Sequence, residues 1–219
     1  MTSNILLAIK IRGLAGAFLV AASCLAAADT ALDCGTPSEI PGGYGPFDYR
    51  TATQEQKHLV EIAGGHFTTS VETLQSGTTG SIGAELGYTL GSFPNHPRAL
   101  MAMIRLGQRD KTAKPHGGRY TVQCYVERAI LYRPDDMTVR QIHAVYYAMQ
   151  KKFDIAIADL KMVIEQEPQN ANAHYNLGLA YFETGDYDTA LAKARQARAL
   201  GFPLPGLADK LKAKGKWKD

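Results

Sequence analysis

Six histidines, His58, His66, His96, His116, His143 and His174, have the widest chemical reach in this chain, because a neutral imidazole can ligate a metal or move a proton near neutral pH. Ligation from one helix face needs partners three or four residues apart. No two of the six are so spaced, and neither His-Glu-x-x-His nor Cys-x-x-Cys occurs. His143 and His174 are therefore expected to pack or to line a groove. The stretch Gly77 to Gly83, Gly-Thr-Thr-Gly-Ser-Ile-Gly, has the glycine density of a phosphate cradle but no lysine, and reads as the start of a helix. A Gly-x-Ser-x-Gly nucleophile elbow is absent. The chain is expected to be non-catalytic, with no metal and no cofactor.

The cysteines point to an oxidising compartment. Lys10 and Arg12 precede an apolar run, Leu14 to Ala28, that is short for a membrane span and ends in Ala26-Ala27-Ala28, so residues 1–28 read as an export signal with the mature start at Asp29. Two alternatives stand. Ala21-Ala22-Ser23-Cys24 is an imperfect lipoprotein box in which Cys24 would carry lipid, and an apolar stretch from Ile5 would make an uncleaved anchor containing Lys10 and Arg12. Cleavage after Ala28 leaves Cys34 and Cys124, an even number, and a disulfide between them is expected. Closing a loop of about 90 residues contributes roughly 4 kcal/mol in the chain-entropy view. Two buried, unpaired thiols are the alternative.

Charge excludes a general affinity for nucleic acid. The formal net charge is +3, and setting aside Lys10 and Arg12 leaves 22 basic against 21 acidic side chains. Only the tail is lopsided, with Lys210, Lys212, Lys214, Lys216 and Lys218 opposed by Asp209 and Asp219. It reads as a solvated end that aids solubility, with contact to an anionic surface as the alternative.

The elements that position these side chains are helices. Residues 29–53 hold Gly35, Pro37, Pro41, Gly42, Gly43, Gly45 and Pro46 and form an arm rather than a regular element. If Cys34 is bonded, Tyr44, Phe47 and Tyr49 are placed to cover an apolar face. Residues 54–96 predict three helices, 54–63, from Thr68 or Thr69 to Gln75, and 81–93, together an amino-terminal cap. Beyond it a spacing of 34 recurs: Tyr147 and Tyr181, Phe153 and Tyr187, Ala156 and Ala190, Ala144 and Gly178, Pro134 and Pro168.

A period of 34, with small residues where two helices touch and proline after the second, resembles the tetratricopeptide repeat. The resemblance implies an all-α solenoid of about three repeats, 97–133, 134–167 and 168–203. The first is longer than the standard, since Pro97 to Pro134 spans 37 residues, and 204–219 form a capping helix and basic tail. It implies protein binding rather than chemistry, in a groove lined by the first helix of each pair. Carried onto this sequence, the groove positions are Asn172, Tyr175, Asn176, Leu179, Phe182 and Glu183 in the third repeat. They are Thr138, Gln141, Ile142, Val145 and Met149 in the second, and Met101, Ile104, Arg105 and Gln108 in the first. A hydrophobic or amphipathic peptide suits this lining better than a terminal carboxylate. The expected protein is a periplasmic or envelope adaptor whose partner is another protein or peptide, with no nucleic acid partner and membrane contact only through the signal or a lipid on Cys24. A lipid-anchored structural subunit of an envelope machine, and an enzyme with its site in residues 29–96, are the alternatives.

Overall fold

Most helices begin where a side chain offers an atom to cap the first free backbone N–H groups. Thr53 and Gln56 cap each other's backbone at α1 (Gln54–His58), which runs on into a π-helical turn, Leu59–Ala63. Thr68 caps α2 (Thr69–Glu72) and Ser81 caps α3 (Ile82–Ser92). His96, through Nδ1, caps α4 (Pro97–Arg109), where Pro97 fills the first helical position. Thr121 caps α5 (Val122–Tyr132) and Asp136 caps α6 (Met137–Met149). After α7 (Phe153–Gln166), Asn170 caps α8 (Ala171–Thr184) and Asp186 caps α9 (Tyr187–Ala199); α10 is Gly206–Ala213. α2 stops short of Gln75 because Leu74 turns the chain with φ 61.

This computed structural model describes residues 34–36 and 43–217, all within one unit that starts at Leu32. Among them every regular element is helical. The export signal, Cys24 and much of the arm lie outside the described residues.

One turn recurs three times. The residues ending α3, α5 and α7 are Phe93 (φ −132, ψ 82), Arg133 (φ −138, ψ 82) and Glu167 (φ −128, ψ 72). Each is followed by a proline, Pro94, Pro134 or Pro168, and by a capping residue whose N–H donates back to it at 3.0–3.1 Å. α3 thus ends in the same turn that follows α5 and α7. The recurring proline is Pro94, not Pro97, so the capping residues His96 and Asp136 are 40 apart where Asp136 and Asn170 are 34 apart. The extra length sits in the α4–α5 loop, which lies on α3: Ser81 Oγ donates to the His116 carbonyl at 2.8 Å.

Packing follows the small residues. α6 with α7, and α8 with α9, are joined by short turns that fold the second helix back along the first, and α7 meets α8. Ala144, Ala156, Leu160, Val163, Ala173 and Leu177 form the core between α6, α7 and α8. A Cβ added at Gly178 would lie 2.5 Å from Leu207 Cδ2 and 3.3 Å from the Ala190 carbonyl oxygen, so α8, α9 and α10 meet there with no room for a side chain. The turn after α8 uses Gly185 at φ 87, and the same place after α6 holds Lys151 at φ 59.

The arm is fastened by a disulfide and by charge. Cys34 and Cys124 are bonded, both side chains buried. Arg128 donates to the carbonyls of Cys34 and Thr36 at 2.7 Å each. Phe47 and Tyr49 pack on Phe93, and Tyr49 stacks on the buried His96 with 3.9 Å between ring centroids. Buried Asp48 accepts from Arg50 and from Asn95, and meets Arg133 Nε at 2.8 Å. The Arg50 guanidinium holds the Asp48 carboxyl well below the usual carboxylate range.

Candidate functional site

α6 and α8, the leading helices of consecutive pairs, leave an open cleft of about 420 Å³ between them. Ala144, Val145, Ala148 and Met149 of α6 form one wall, and Asn176, Leu179, Ala180 and Glu183 of α8 the other, with Phe153 and Leu160 of α7 between. Small residues at 144, 148 and 180 keep it open, whereas Leu179 and Met149 give it apolar surface. Lys151 and Lys210 stand at its edge, and Lys210 donates to Glu183 at 2.8 Å. The cleft therefore offers one amide, one neutralised ion pair and one further cation around an apolar floor. Met149 also borders a second hollow of about 300 Å³ between α4 and α6, whose lining includes Gln108, Lys111, Thr112, Tyr146 and Gln150.

Of the groove positions expected from the sequence, Val145, Met149, Asn176, Leu179 and Glu183 meet in the first cleft, and Ile104, Gln108 and Met149 in the second. Gln141 is half-buried, and Asn172 and Thr138 are exposed outside both. Arg105 reaches away and donates to the Glu72 carbonyl at 3.3 Å. Tyr175 stacks on Phe202 at 4.0 Å, and Phe182 lies edge-on to Tyr187 beneath Lys210, so α10 and the chain leading to it occupy that side of α8. Ile142 is 7% exposed and belongs to the core, because its place on α6 turns it inward.

Behind the cleft wall, α6 turns polar groups inward, a feature the sequence did not reveal. His143 Nδ1 lies 2.5 Å from Asp159 Oδ2 of α7, and Arg140 donates to the other oxygen of Asp159 at 3.0 Å. His143 Nε2 faces Glu127 of α5 at 3.5 Å, and the Tyr147 hydroxyl donates to the same carboxylate. Burial opposes charge on His143, but Asp159 and Glu127 outweigh it and raise its pKa from 6.5 to about 9. The hydrogen bond from His143 in turn holds Glu127 below its ordinary range. The readable signal was Asp159 itself, a carboxylate on the Ala156, Leu160 and Val163 face of a helix whose neighbour carries a histidine.

The glycine-rich stretch holds an anion of the protein's own. The N–H groups of Thr79 and Gly80 and the Thr79 hydroxyl all donate to Glu85 Oε1, while His66 meets Oε2 at 2.5 Å. Burial opposes that charge, yet these donors bring the Glu85 pKa down to about 2. Among the described residues no cluster of His, Cys, Asp and Glu is placed to hold a metal, and no helix is long and apolar enough to cross a membrane.

Consecutive antiparallel helix pairs, joined by one repeated turn and leaving clefts between their leading helices, define a helical-repeat array. The array contains tetratricopeptide repeats: the family described as TPR repeat matches residues 144–185, and that described as Tetratricopeptide repeat matches 171–201. No curated protein matches the chain. Among solved structures, MamA AMB-1 in two crystal forms is 18% and 21% identical over 74% and 73% of this chain and 86% of its own length, with TM-scores of 0.46 and 0.45. MamA MSR-1 is 24% identical over 54% of this chain, with a TM-score of 0.42. The match to MamA MSR-1 spans 65% of that chain, less than two thirds of its length.

Proposed function

We propose that this protein is a non-catalytic adaptor of the bacterial envelope that grips an apolar or amphipathic peptide segment of a partner protein in the cleft between α6 and α8. The observation that carries this reading is the cleft itself, with Val145, Met149 and Leu179 presenting apolar side chains around the single amide of Asn176. Such a lining rewards burial of an apolar side chain and offers one polar group to fix its register. Tetratricopeptide arrays act as interaction scaffolds, which agrees with this use. The disulfide supports export, since such bonds persist in oxidising compartments.

A photoreactive amino acid at Val145 or Leu179 is expected to crosslink one defined partner from an envelope fraction. Leu179→Asp should lower capture at least tenfold, because burying a leucine side chain stabilises by about 1.5–3 kcal/mol. Equal labelling from exposed Met162 on α7, or capture indifferent to Leu179→Asp, would move the binding surface out of the cleft.

A further inference from the structure

Positive charge gathers at the carboxyl-terminal end of the array. Residues 193–219 contain Lys193, Arg195, Arg198, Lys210, Lys212, Lys214, Lys216 and Lys218 against Asp209 and Asp219, whereas the chain as a whole is nearly balanced. α10 is the last layer. Leu207 and Leu211 turn inward and are buried, while Lys212, Lys214 and Lys216 are exposed. The Lys212 ammonium lies over the Trp217 ring and the Lys216 ammonium over Tyr187, 5.7 and 5.6 Å from the ring centroids, so both charges are held at the surface beside aromatic faces. Arg198 and Lys212 share a pocket of about 320 Å³ with Tyr175, Phe202, Leu204 and Trp217.

The loop between α9 and α10 gives this surface an apolar tip. Leu204 is 61% exposed and stands between Pro203 and Pro205. The Gly201 and Phe202 N–H groups are bonded to the carbonyls of Arg198 and Ala197, and the two prolines have no N–H. Among the described residues no backbone carbonyl accepts from the Leu204 N–H. The prolines on either side fix φ at 203 and 205, so Leu204 is presented with little backbone freedom to lose on insertion. An acidic peptide or a nucleic acid would use the charge but not the exposed leucine.

We propose that this end face docks on an anionic phospholipid bilayer, with Leu204 entering the acyl boundary while Arg198, Lys212, Lys214 and Lys216 meet the headgroups. This surface is separate from the α6–α8 cleft, so a partner can be held there while the protein sits on a membrane. Basic side chains near an anionic leaflet and an apolar tip beside an aromatic residue are the two components such binding needs.

Trp217 is the only tryptophan, so its emission reports on this face alone. With the full chain, vesicles of phosphatidylglycerol and phosphatidylcholine in equal parts should shift the emission to the blue, and added salt should weaken the effect. Pure phosphatidylcholine vesicles should leave it unmoved, even if the apolar run near the amino terminus brings the chain to them. The variant K212Q/K214Q/K216Q, checked for unchanged helicity, should bind about 100-fold more weakly, at about fivefold for each cation removed. Leu204→Ser should weaken binding but keep its salt dependence. Emission unmoved by anionic vesicles, an equal shift on neutral ones, or parental affinity in the triple variant would overturn the proposal. So would an equal shift caused by polyglutamate or single-stranded DNA, which would assign the face to a soluble polyanion.

Discussion

The α6–α9 segment and the segment from the arm to α5 share one turn between pairs, yet they are fastened by different means. In α6–α9 the turn within each pair is short, and small residues such as Ala156, Gly178 and Ala190 let the helices pack closely along their length. Between α4 and α5 the turn has grown into the loop 110–121, and these two helices pack less extensively. Covalent and ionic fastenings gather on that side: the Cys34–Cys124 bond, the Asp48 cluster with Arg50, Asn95 and Arg133, and the Glu85 cradle. Regular spacing lets small residues pack along whole helices around one buried cluster, Asp159 with His143 and Arg140, whereas the insertion is accompanied by several locks.

The largest expected effect tests whether the regular half also depends on a lock. Asp159→Asn leaves His143 and Arg140 buried without their carboxylate and should destabilise by about 3–5 kcal/mol in denaturant unfolding. pH sharpens the same test. His143 is raised from 6.5 to about 9, so its contribution is complete below 6.5 and disappears as pH rises through 9, of order 3 kcal/mol in all. Glu127 is lowered, so its contribution is present above the ordinary glutamate range and is lost on acidification. Stability of the parent should therefore decline from pH 6.5 to 9, and that slope should be smaller in Asp159→Asn, where Glu127 alone still faces His143. An equal slope in both would remove the role given to His143.

Next in size is the disulfide. The pair Cys34→Ser and Cys124→Ser should destabilise by about 2–4 kcal/mol, with new proteolytic cleavage between residues 34 and 53. Hydrogen exchange in α6–α9 should be unchanged, and faster exchange there would show that the two halves unfold as one. The smallest effect is a gain. Lys151 holds a left-handed conformation that Gly185 adopts freely at the matching place, so Lys151→Gly should stabilise by about 0.5–1 kcal/mol, read as a raised thermal midpoint. A lowered midpoint would mean that the Lys151 side chain contributes more than its backbone costs.

Five of the twelve residues that line the cleft are groove positions expected from the sequence. Val145, Met149, Asn176, Leu179 and Glu183 follow from the repeat, because a fixed period fixes which way a helical residue points. Tyr175 and Phe182 obey the same period, but α10 and the loop before it cover them, and the path of that terminal segment is written in no periodicity. Pro97 misled for a related reason: proline favours the first turn of a helix as well as the turn before it, and only the repeated backbone angles at Phe93, Arg133 and Glu167 single out Pro94.

By itself the amino-acid sequence determined the helices, through residues within one or two turns of each other, and, through a period of 34, the small residues at which successive helices approach. Tertiary structure decided the rest: that Asp159 meets His143 and Arg140, that Glu85 fills its own glycine-rich cradle, and that the tail sets Lys212 and Lys216 over Trp217 and Tyr187. Those pairings join residues on separate elements, and in a chain this polar many partners are chemically suitable. Which one is reached depends on where the packed helices bring the side chains.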